Sequence, residues 1–223
     1  MICPTESFPA LDAIPGIRAA FVQRAPDVDV LADRETALAR LWAVHHATKD
    51  VCGFAGMPLA TAEQVHGTSV ALVGPGTHFP VPRCDGLVTT SPGLCLGIYV
   101  ADCAAVFLAT RDGRGIALVH SGKKGTELGI VPNVVASLCN ATGASPADLV
   151  LQISPCIRPP HYEIPFAEEI VRQAAAAGVR DIHDCQTCTA SDPEKYYSYR
   201  REMGRTGRLL ALLAILDTPS ATA

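Results

Sequence analysis

The sequence has little charge, few aromatic residues and no long apolar run. Charged residues make up 18% and aromatic residues 5% of the 223 residues. No apolar run approaches the ~18 residues that a membrane-spanning helix needs. The longest one, LLALLAIL near the C-terminus, has the length of a strand. The first residues show no basic stretch followed by an apolar one, so no signal peptide is expected. We therefore expect no membrane partner.

The sequence also lacks a run of lysine and arginine residues. Its formal net charge is −4, and a mildly acidic chain without a basic patch is not typical of proteins that bind nucleic acid through the phosphate backbone. Hydrophobic residues make up 48% of the chain. This fraction excludes global disorder and, at this length, suits one domain with a sizeable core.

The nine cysteines are odd in number and scattered. Disulfide-rich domains are small and usually carry an even, dense set of cysteines. We therefore interpret most of the cysteines as reduced thiols and expect a cytoplasmic protein. Cys185 and Cys188 form a CxxC pair, but no second CxxC completes a zinc site, so two incidental thiols are the favoured interpretation.

Apolar patterning predicts strands in the centre of the chain and helices on both sides of them. Predicted strands cover residues 17–22, 94–100, 104–109, 115–119, DLVLQIS, part of AEQVHGTSVALV and the final RLLALLAIL. Predicted helices cover residues 33–47, 126–140 or a later start with Pro132 in the first turn, FAEEIVRQAAAAG ending at Gly178, and a short one around DPEKYYSYRREMG. The stretch KDVCGFAGMPLA is predicted to be a loop. This pattern indicates a mixed α+β domain.

The segment RDGRG between two central strands predicts a hairpin turn with Asp-Gly at its centre. In such a hairpin the residue numbers of two directly opposing residues add up to about 225, so that His120 lies across from Ala105. Cys103 is two residues further along the same face, where diagonal neighbours lie ~7–8 Å apart. A slip of one residue would send Cys103 and His120 to opposite faces. In the favoured register both side chains reach one metal ion or each other.

His66 is a third candidate, because Gly67 interrupts the strand pattern of QVHG. The glycine lets the backbone turn away, so that the imidazole of His66 is accessible to a ligand. Two imidazoles and a thiolate suit zinc and also copper, and three protein ligands leave a fourth position open for catalysis. The residues alone leave two alternatives. Each side chain is individually more often structural than ligating. Cys103 as nucleophile with His120 as base would make a metal-free hydrolase.

Four ordered blocks resemble one known family. QVHGTSV, CDGLVTT, YVADCAAVFLAT and GIALVHSGKKG are similar to the blocks QVHG, DADALVT, ADCxPVLL and HAGWRG of the YfiH or laccase-domain family, also called multicopper polyphenol oxidase-like. ISPCIRPPHYEI and YYSYRREMGRTGRLLALL match later blocks in the same order. The resemblance covers residues 17–216, and we expect residues 1–223 to form a single domain of this type.

The resemblance implies a fold, a metal site and an activity. The fold would be a four-layer αββα arrangement with mixed sheets. The ligands of zinc, or alternatively copper, would be His66, Cys103 and His120, which would also be the catalytic residues. The family's activities imply small-molecule partners: phosphorolysis of a purine nucleoside by phosphate, and deamination of adenosine.

This sequence departs from the family blocks next to His120. Lys123 stands where tryptophan is usual, and Lys124 where arginine is usual. Lysine keeps the positive charge but loses the planar fork of arginine, so Lys124 is expected to bind phosphate as a point charge, or substrate choice has shifted. Arg34 falls near the family's Asn-Arg pair, although Asp33 does not match the asparagine.

Three more polar residues are candidates for the substrate site. Asp85 either orients a ligand or caps a turn. Tyr162 is retained from the family block. Arg200 is either a substrate clamp or, as is more common for such residues, part of a surface ion pair.

The family's older name suggests a copper oxidase of phenols. Such an enzyme needs several coppers to pass electrons to oxygen, and seven histidines without an HxH pair are too few and too dispersed for that. We therefore favour the nucleoside reaction. A family member that has lost its chemistry and serves as a binding domain is a further alternative.

Overall fold

The computed structural model describes residues 1–217, and the end of the predicted domain, residues 218–223, lies outside them. The strands are β1 Thr5–Glu6, β2 Ile17–Val22, β3 Leu59–Thr61, β4 Val70–Leu72, β5 Gly86–Thr89, β6 Cys95–Val100, β7 Ala104–Thr110, β8 Ile116–Ser121, β9 Leu149–Ile153, β10 Asp181–Asp184 and β11 Leu209–Ile215. The α-helices are α1 Pro9–Asp12, α2 Arg34–Lys49, α3 Lys123–Glu127, α4 Ile130–Thr142 and α5 Phe166–Ala176. None of the helices in residues 1–217 combines the length and the hydropathy of a membrane-spanning segment.

The strands form two mixed sheets. The first has the order β1-β2-β11-β6-β3 and the second β10-β9-β7-β8-β5-β4. Neighbouring strands are antiparallel except in the pairs β3–β6, β4–β5 and β9–β10. The sequence predicted mixed sheets with flanking helices, and this prediction is confirmed.

Strand β7 shows how the layers are stacked, because successive side chains of a strand point to opposite faces. Ala105, Phe107 and Ala109 belong to the apolar cluster shared with the first sheet. The alternate positions 104, 106 and 108 belong to a second cluster that includes α4 and α5. A strand buried on both faces reads as a continuous apolar run, as AAVFLAT does.

Helix α2 covers the other side of the first sheet. Its buried residues Ala37, Leu41 and Val44 join the first cluster, and His45 stacks on Tyr99 of β6 with ring centroids 5.8 Å apart. Asp33 caps the helix by accepting a hydrogen bond from the Thr36 amide at 2.9 Å. Together with α4 and α5 behind the second sheet, this gives the expected order of helix, sheet, sheet and helix.

Three local predictions need correction or refinement. The short helix predicted around residues 192–204 is a series of turns, because distant partners take up part of its backbone: the Arg200 amide donates to Asp102 at 2.7 Å, and the Lys195 carbonyl accepts from the Arg24 amide at 2.9 Å. The predicted loop KDVCGFAGMPLA contains one π-helical turn at Asp50–Phe54 and the start of β3. Helix α4 begins late, at Ile130, with Pro132 in its first turn, as the second prediction had it.

Candidate active site

His66, Cys103 and His120 come together at one end of the second sheet. Each offers one ligand atom, and the three atoms lie within 4.8 Å of one another. His120 lies on β8 opposite Ala105 of β7, which is the register predicted from the Asp-Gly turn. Cys103 directly precedes β7. We refer to these three residues as the ligand cluster.

The loop that carries His66 is held in a strained conformation. Gln64 and His66 both have φ of 59°, a left-handed value that costs energy for residues with a side chain and persists where the surroundings enforce it. The Gln64 side chain supplies part of this enforcement. Its amide donates to the Tyr99 carbonyl at 2.6 Å, and its oxygen accepts from the Tyr99 amide at 3.0 Å. The loop is thereby tied to β6.

Asp85 connects two members of the ligand cluster. This fully buried carboxylate accepts hydrogen bonds from the backbone amides of His66 at 2.9 Å and Gly67 at 2.7 Å. It also accepts from Nδ1 of His120 at 2.9 Å. A histidine whose Nδ1 donates to a carboxylate presents Nε2 as its ligating nitrogen. Asp85 therefore fixes the ring of His120 and the backbone of His66 together.

Gly122 gives the thiol of Cys103 the space it occupies. A Cβ atom at this position would lie 2.5 Å from the Cys103 sulfur and 3.8 Å from Cδ2 of His66. The backbone φ of Gly122 is −100°, a value open to any residue, so the close approach of sulfur, and not the backbone conformation, requires glycine here.

The charges inside the ligand cluster favour a thiolate. Burial raises the pKa of the Cys103 thiol, but the neighbouring His120 and His66 outweigh burial and lower it overall. Burial lowers the pKa of His120, and the adjacent Cys103 and Asp85 outweigh burial and raise it overall. The thiolate is the form of cysteine that binds metals and attacks electrophiles.

This donor set fits a borderline metal ion such as zinc. The three donors are two imidazoles and one thiolate, with a carboxylate behind one imidazole, as catalytic zinc sites have. His120 is buried and His66 is exposed, so the cluster is open on one side for a fourth ligand. Cys185 and Cys188 lie outside this cluster, and both are free thiols.

The ligand cluster opens into a cavity of about 500 Å³, a size typical of small-molecule sites. Four aromatic side chains line it: Tyr99, Tyr162, Phe166 and Tyr199. Four basic side chains, which we call the rim cations, line it as well: Arg34, Lys123, Arg200 and Arg208. The cavity thus combines flat apolar walls, positive charge and a candidate metal centre.

The structure separates the polar candidates of the sequence into two groups. The cavity is lined by Arg34, Lys123, Tyr162 and Arg200. Lys124 lies outside this lining, with an exposed side chain on α3. Asp85 also lies outside it, where it orients His120 as one of the two sequence hypotheses had it.

Two of the rim cations pair with carboxylates at the protein surface. Lys123 lies 4.0 Å from Glu127, one turn along α3. Arg200 donates to Glu163 at 2.9 Å, and its guanidinium lies 5.4 Å from the centre of the Tyr162 ring. The ion pair expected for Arg200 therefore exists, and the residue lines the cavity at the same time.

Asp102 is a residue of this site that the sequence reasoning did not select. It precedes Cys103, has φ of 81° and is buried. Its carboxylate accepts from Thr189 at 2.7 Å, from Ser198 at 3.1 Å and from the Arg200 amide at 2.7 Å. Asp102 therefore ties the segment that carries Tyr199 and Arg200 to the segment that carries Cys103. The sequence signal that could have identified Asp102 is its position next to Cys103 in the block YVADC.

Comparison with protein families matches most of the chain to a known family. Residues 39–174 and 165–216 match the family described as multi-copper polyphenol oxidoreductase laccase. The match contains all three members of the ligand cluster.

Individual relatives carry a different name. A purine nucleoside phosphorylase of Corynebacterium glutamicum is 31% identical over 71% of this chain and 75% of its own length. A purine nucleoside phosphorylase of Streptomyces coelicolor is 33% identical over 66% of this chain and 70% of its own length. Among solved structures, YlmD from Geobacillus stearothermophilus has a TM-score of 0.84 at 22% identity, covering 94% of both chains. At that identity the likeness shows the fold.

Proposed function

The chain belongs to the multi-copper polyphenol oxidoreductase laccase family, and from this premise we propose that it is a metal-dependent purine nucleoside phosphorylase. The observation that carries the proposal is the position of the ligand cluster at a cavity with both aromatic walls and positive charge. The names of relatives at about 30% identity support it. His66, Cys103 and His120 are the proposed metal ligands, with zinc as the proposed metal and copper as the alternative.

Phosphorolysis makes clear demands on such a site. A phosphate oxygen forms a bond to C1′ of the ribose while the bond from C1′ to the purine nitrogen breaks. The electron pair leaves with the purine, which takes up a proton, and the products are the free base and ribose 1-phosphate. The site must therefore bind an anion, hold a flat base and tolerate positive charge developing on the ribose.

A metal ion held by His66, Cys103 and His120 would supply a Lewis acid for an oxygen atom of the substrate. Neighbouring residues of the chain orient these three side chains. Asp85 holds the proton on Nδ1 of His120, so that Nε2 of the same ring faces the cluster. Asp85 also fixes the backbone of His66, and Gly122 leaves room for the thiolate of Cys103.

The aromatic side chains suit the purine ring. Tyr162 and Phe166 meet edge to face with centroids 6.1 Å apart, and Tyr99 and Tyr199 line the same cavity. Flat aromatic surfaces stack on purines and exclude water from the breaking bond. Deamination of adenosine is the proposed second reaction: water adds to C6 of the purine, the bond from C6 to the amino nitrogen breaks, and ammonia leaves. A metal ion held by the ligand cluster would assist this reaction by activating the water.

A second function is favoured by one observation: Asp85 is hydrogen-bonded to His120, and the Cys103 sulfur lies within 4.8 Å of a ring nitrogen of His120. This order of carboxylate, imidazole and thiol is that of a cysteine hydrolase without metal. The two functions differ in their response to chelation. A hydrolase of this kind keeps its activity in the presence of a chelator and loses it on alkylation of the thiol.

The test is a nucleoside panel on purified protein of measured metal content. Adenosine, inosine and methylthioadenosine are incubated with and without phosphate, and base, ribose 1-phosphate and deaminated product are separated by chromatography. We expect release of free base that depends on phosphate and is lost on chelation. Absence of turnover with every nucleoside would contradict the proposal and favour a binding role. Oxidation of phenols by protein with three or more coppers per chain would favour the laccase name.

A further inference from the structure

The four rim cations differ in what compensates their charge. Lys123 and Arg200 each have a carboxylate partner, Glu127 and Glu163. Within residues 1–217, neither Arg34 nor Arg208 has a carboxylate oxygen within 4.0 Å. Two guanidinium groups therefore face one cavity with their charge uncompensated by the protein.

Both uncompensated arginines are positioned by main-chain carbonyl groups. Nη1 of Arg34 donates to the Glu63 carbonyl at 3.2 Å. Nη1 of Arg208 donates to the Thr206 carbonyl at 3.0 Å and the Gly207 carbonyl at 2.8 Å. These neutral acceptors fix the orientation of each guanidinium without neutralising it. The Nε and Nη2 donors of both groups have no hydrogen-bond partner in the described part of the chain.

Arg208 is held in this position against two unfavourable effects. It is only 9% exposed. Burial lowers the pKa of its guanidinium, and the positive charge of the nearby Arg34 lowers that pKa further. An arginine that is buried, close to a second cation and without a carboxylate is stabilised by a bound anion.

The one acidic side chain of the cavity lining does not take this role. The carboxylate of Asp102 is occupied by hydrogen bonds from Thr189, Ser198 and the Arg200 amide. No ion pair joins it to Arg208 among residues 1–217. Among the described residues, no carboxylate of the lining is therefore paired with the two arginines, and their free donors are available to an anion from outside the chain.

We propose that Arg34 and Arg208 form the subsite that binds inorganic phosphate beside the ligand cluster. This assignment rests on the proposed phosphorolysis, for which it locates the second substrate. A phosphate ion offers three or more acceptor oxygens, and two guanidinium forks can each bind two of them in parallel. Arg34 and Arg208 line the same cavity as His66, Cys103 and His120, so phosphate at this subsite shares the cavity with the ligand cluster. Lys124 then has no part in binding phosphate.

The test measures binding of radiolabelled inorganic phosphate to full-length, zinc-loaded protein by equilibrium dialysis. The variants are R34Q, R208Q and R208K, with R180Q as the matched control. Arg180 is exposed and lies outside the cavity lining.

We expect R34Q and R208Q each to weaken phosphate binding by at least about tenfold, because each removes charged hydrogen bonds. R208K should fall between R208Q and the unaltered protein, because lysine keeps the charge without the fork. R180Q should change the dissociation constant by less than about twofold.

The measurement is independent of nucleoside turnover, so the two proposals fail separately. Weaker phosphate binding in both R34Q and R208K supports the subsite even if no nucleoside is cleaved, and it does so even if R208Q does not fold. Unchanged phosphate binding in R34Q and R208K overturns the subsite, even if the protein is a phosphorylase. Phosphate binding that is lost on removal of zinc but is unchanged by substitution of either arginine also overturns it. A site that binds adenosine 5′-monophosphate but not inorganic phosphate overturns its role for the second substrate.

Discussion

The ligand cluster and the rim cations line the same cavity, but different kinds of contact hold them. His120 and the His66 backbone are fixed by Asp85, which is fully buried. Lys123 and Arg200 are held by ion pairs with exposed carboxylates. Exposed pairs of this kind contribute little free energy. The ligand cluster is therefore fixed by buried contacts, whereas the contacts that hold Lys123 and Arg200 are broken at a small cost in free energy.

Replacing Cys103 by alanine is expected to have the largest effect on the ligand cluster. C103A removes the only thiolate among the three ligands, and we expect a loss of metal affinity and of nucleoside cleavage of at least about 100-fold, more than removal of an outer-shell partner causes. Metal content after dialysis and the initial rate of base release measure it. C52A, a cysteine outside the cavity lining, should keep both. Full activity in C103A would show that the cluster is not the reaction centre.

Asp85 should have the next largest effect, although it touches no substrate. In D85N the amide nitrogen faces donors, so His120 and the His66 loop lose their common acceptor. We expect metal affinity to fall about 10- to 100-fold and the free energy of unfolding to fall by about 1–3 kcal/mol. Competition with a chelator and urea unfolding measure the two effects. D112N changes an exposed turn carboxylate and should alter neither. If D85N binds metal as tightly as the unaltered protein, Asp85 does not position the metal ligands.

The G122A variant tests whether the cluster is rigid. Since the added Cβ would lie 2.5 Å from the Cys103 sulfur, either the thiol moves or the backbone does, at a cost of about 1–3 kcal/mol. We expect weaker metal binding with little change in the substrate KM of the metal-loaded enzyme. G74A is a matched control, because its Cβ would meet only a serine hydroxyl at 3.4 Å. If G122A binds metal normally, the thiol is free to adjust.

A titratable residue behind the cavity wall predicts acid sensitivity without involving the cluster. Burial and the neighbouring His46 lower the pKa of His45 from 6.5 to about 4. Between these two pH values the unfolded chain binds a proton that the folded chain does not, so stability falls as the pH drops through this window. Urea unfolding should show a loss on the order of 1–2 kcal/mol between pH 7 and pH 5. H45L should lose less over the same interval. Equal losses in both proteins would show that His45 titrates normally in the fold.

The smallest effects are expected at the two lysines that follow Gly122. K124A should leave KM and kcat within about twofold, because Lys124 is exposed and outside the cavity lining. K123A should raise KM a few-fold, because Lys123 lines the cavity while its pair with Glu127 is weak. A larger effect from Lys124 than from Lys123 would reverse the assignment made from the cavity.

The sequence predicted those parts of the fold that depend on local patterns. The apolar run of β7 and the Asp-Gly turn give two strands and their register, and the register places His120 beside Cys103. Residues 192–204 were wrongly predicted as a helix, because Asp102, nearly 100 positions away, takes up the amide of Arg200. Long-range hydrogen bonds of this kind leave no local pattern.

The same distinction explains which site residues were found. His66, Cys103 and His120 each lie in a recognisable block. Arg208 was missed because it directly precedes the apolar run LLALLAIL, which is typical of a core strand, and because its proposed role depends on Arg34, which comes from another element. Tyr99 was missed because a tyrosine in a buried strand looks like a core residue. Only the folded chain shows that both face the cavity.

The central claim is that one metal ion at the ligand cluster supports phosphorolysis. The most direct measurement adds zinc in steps to metal-free protein and follows phosphate-dependent release of base from inosine at each step. We expect a rate that rises in proportion to zinc and stops rising at one equivalent per chain. Full activity before any zinc is added, or a rate that rises until three equivalents are bound, would contradict it.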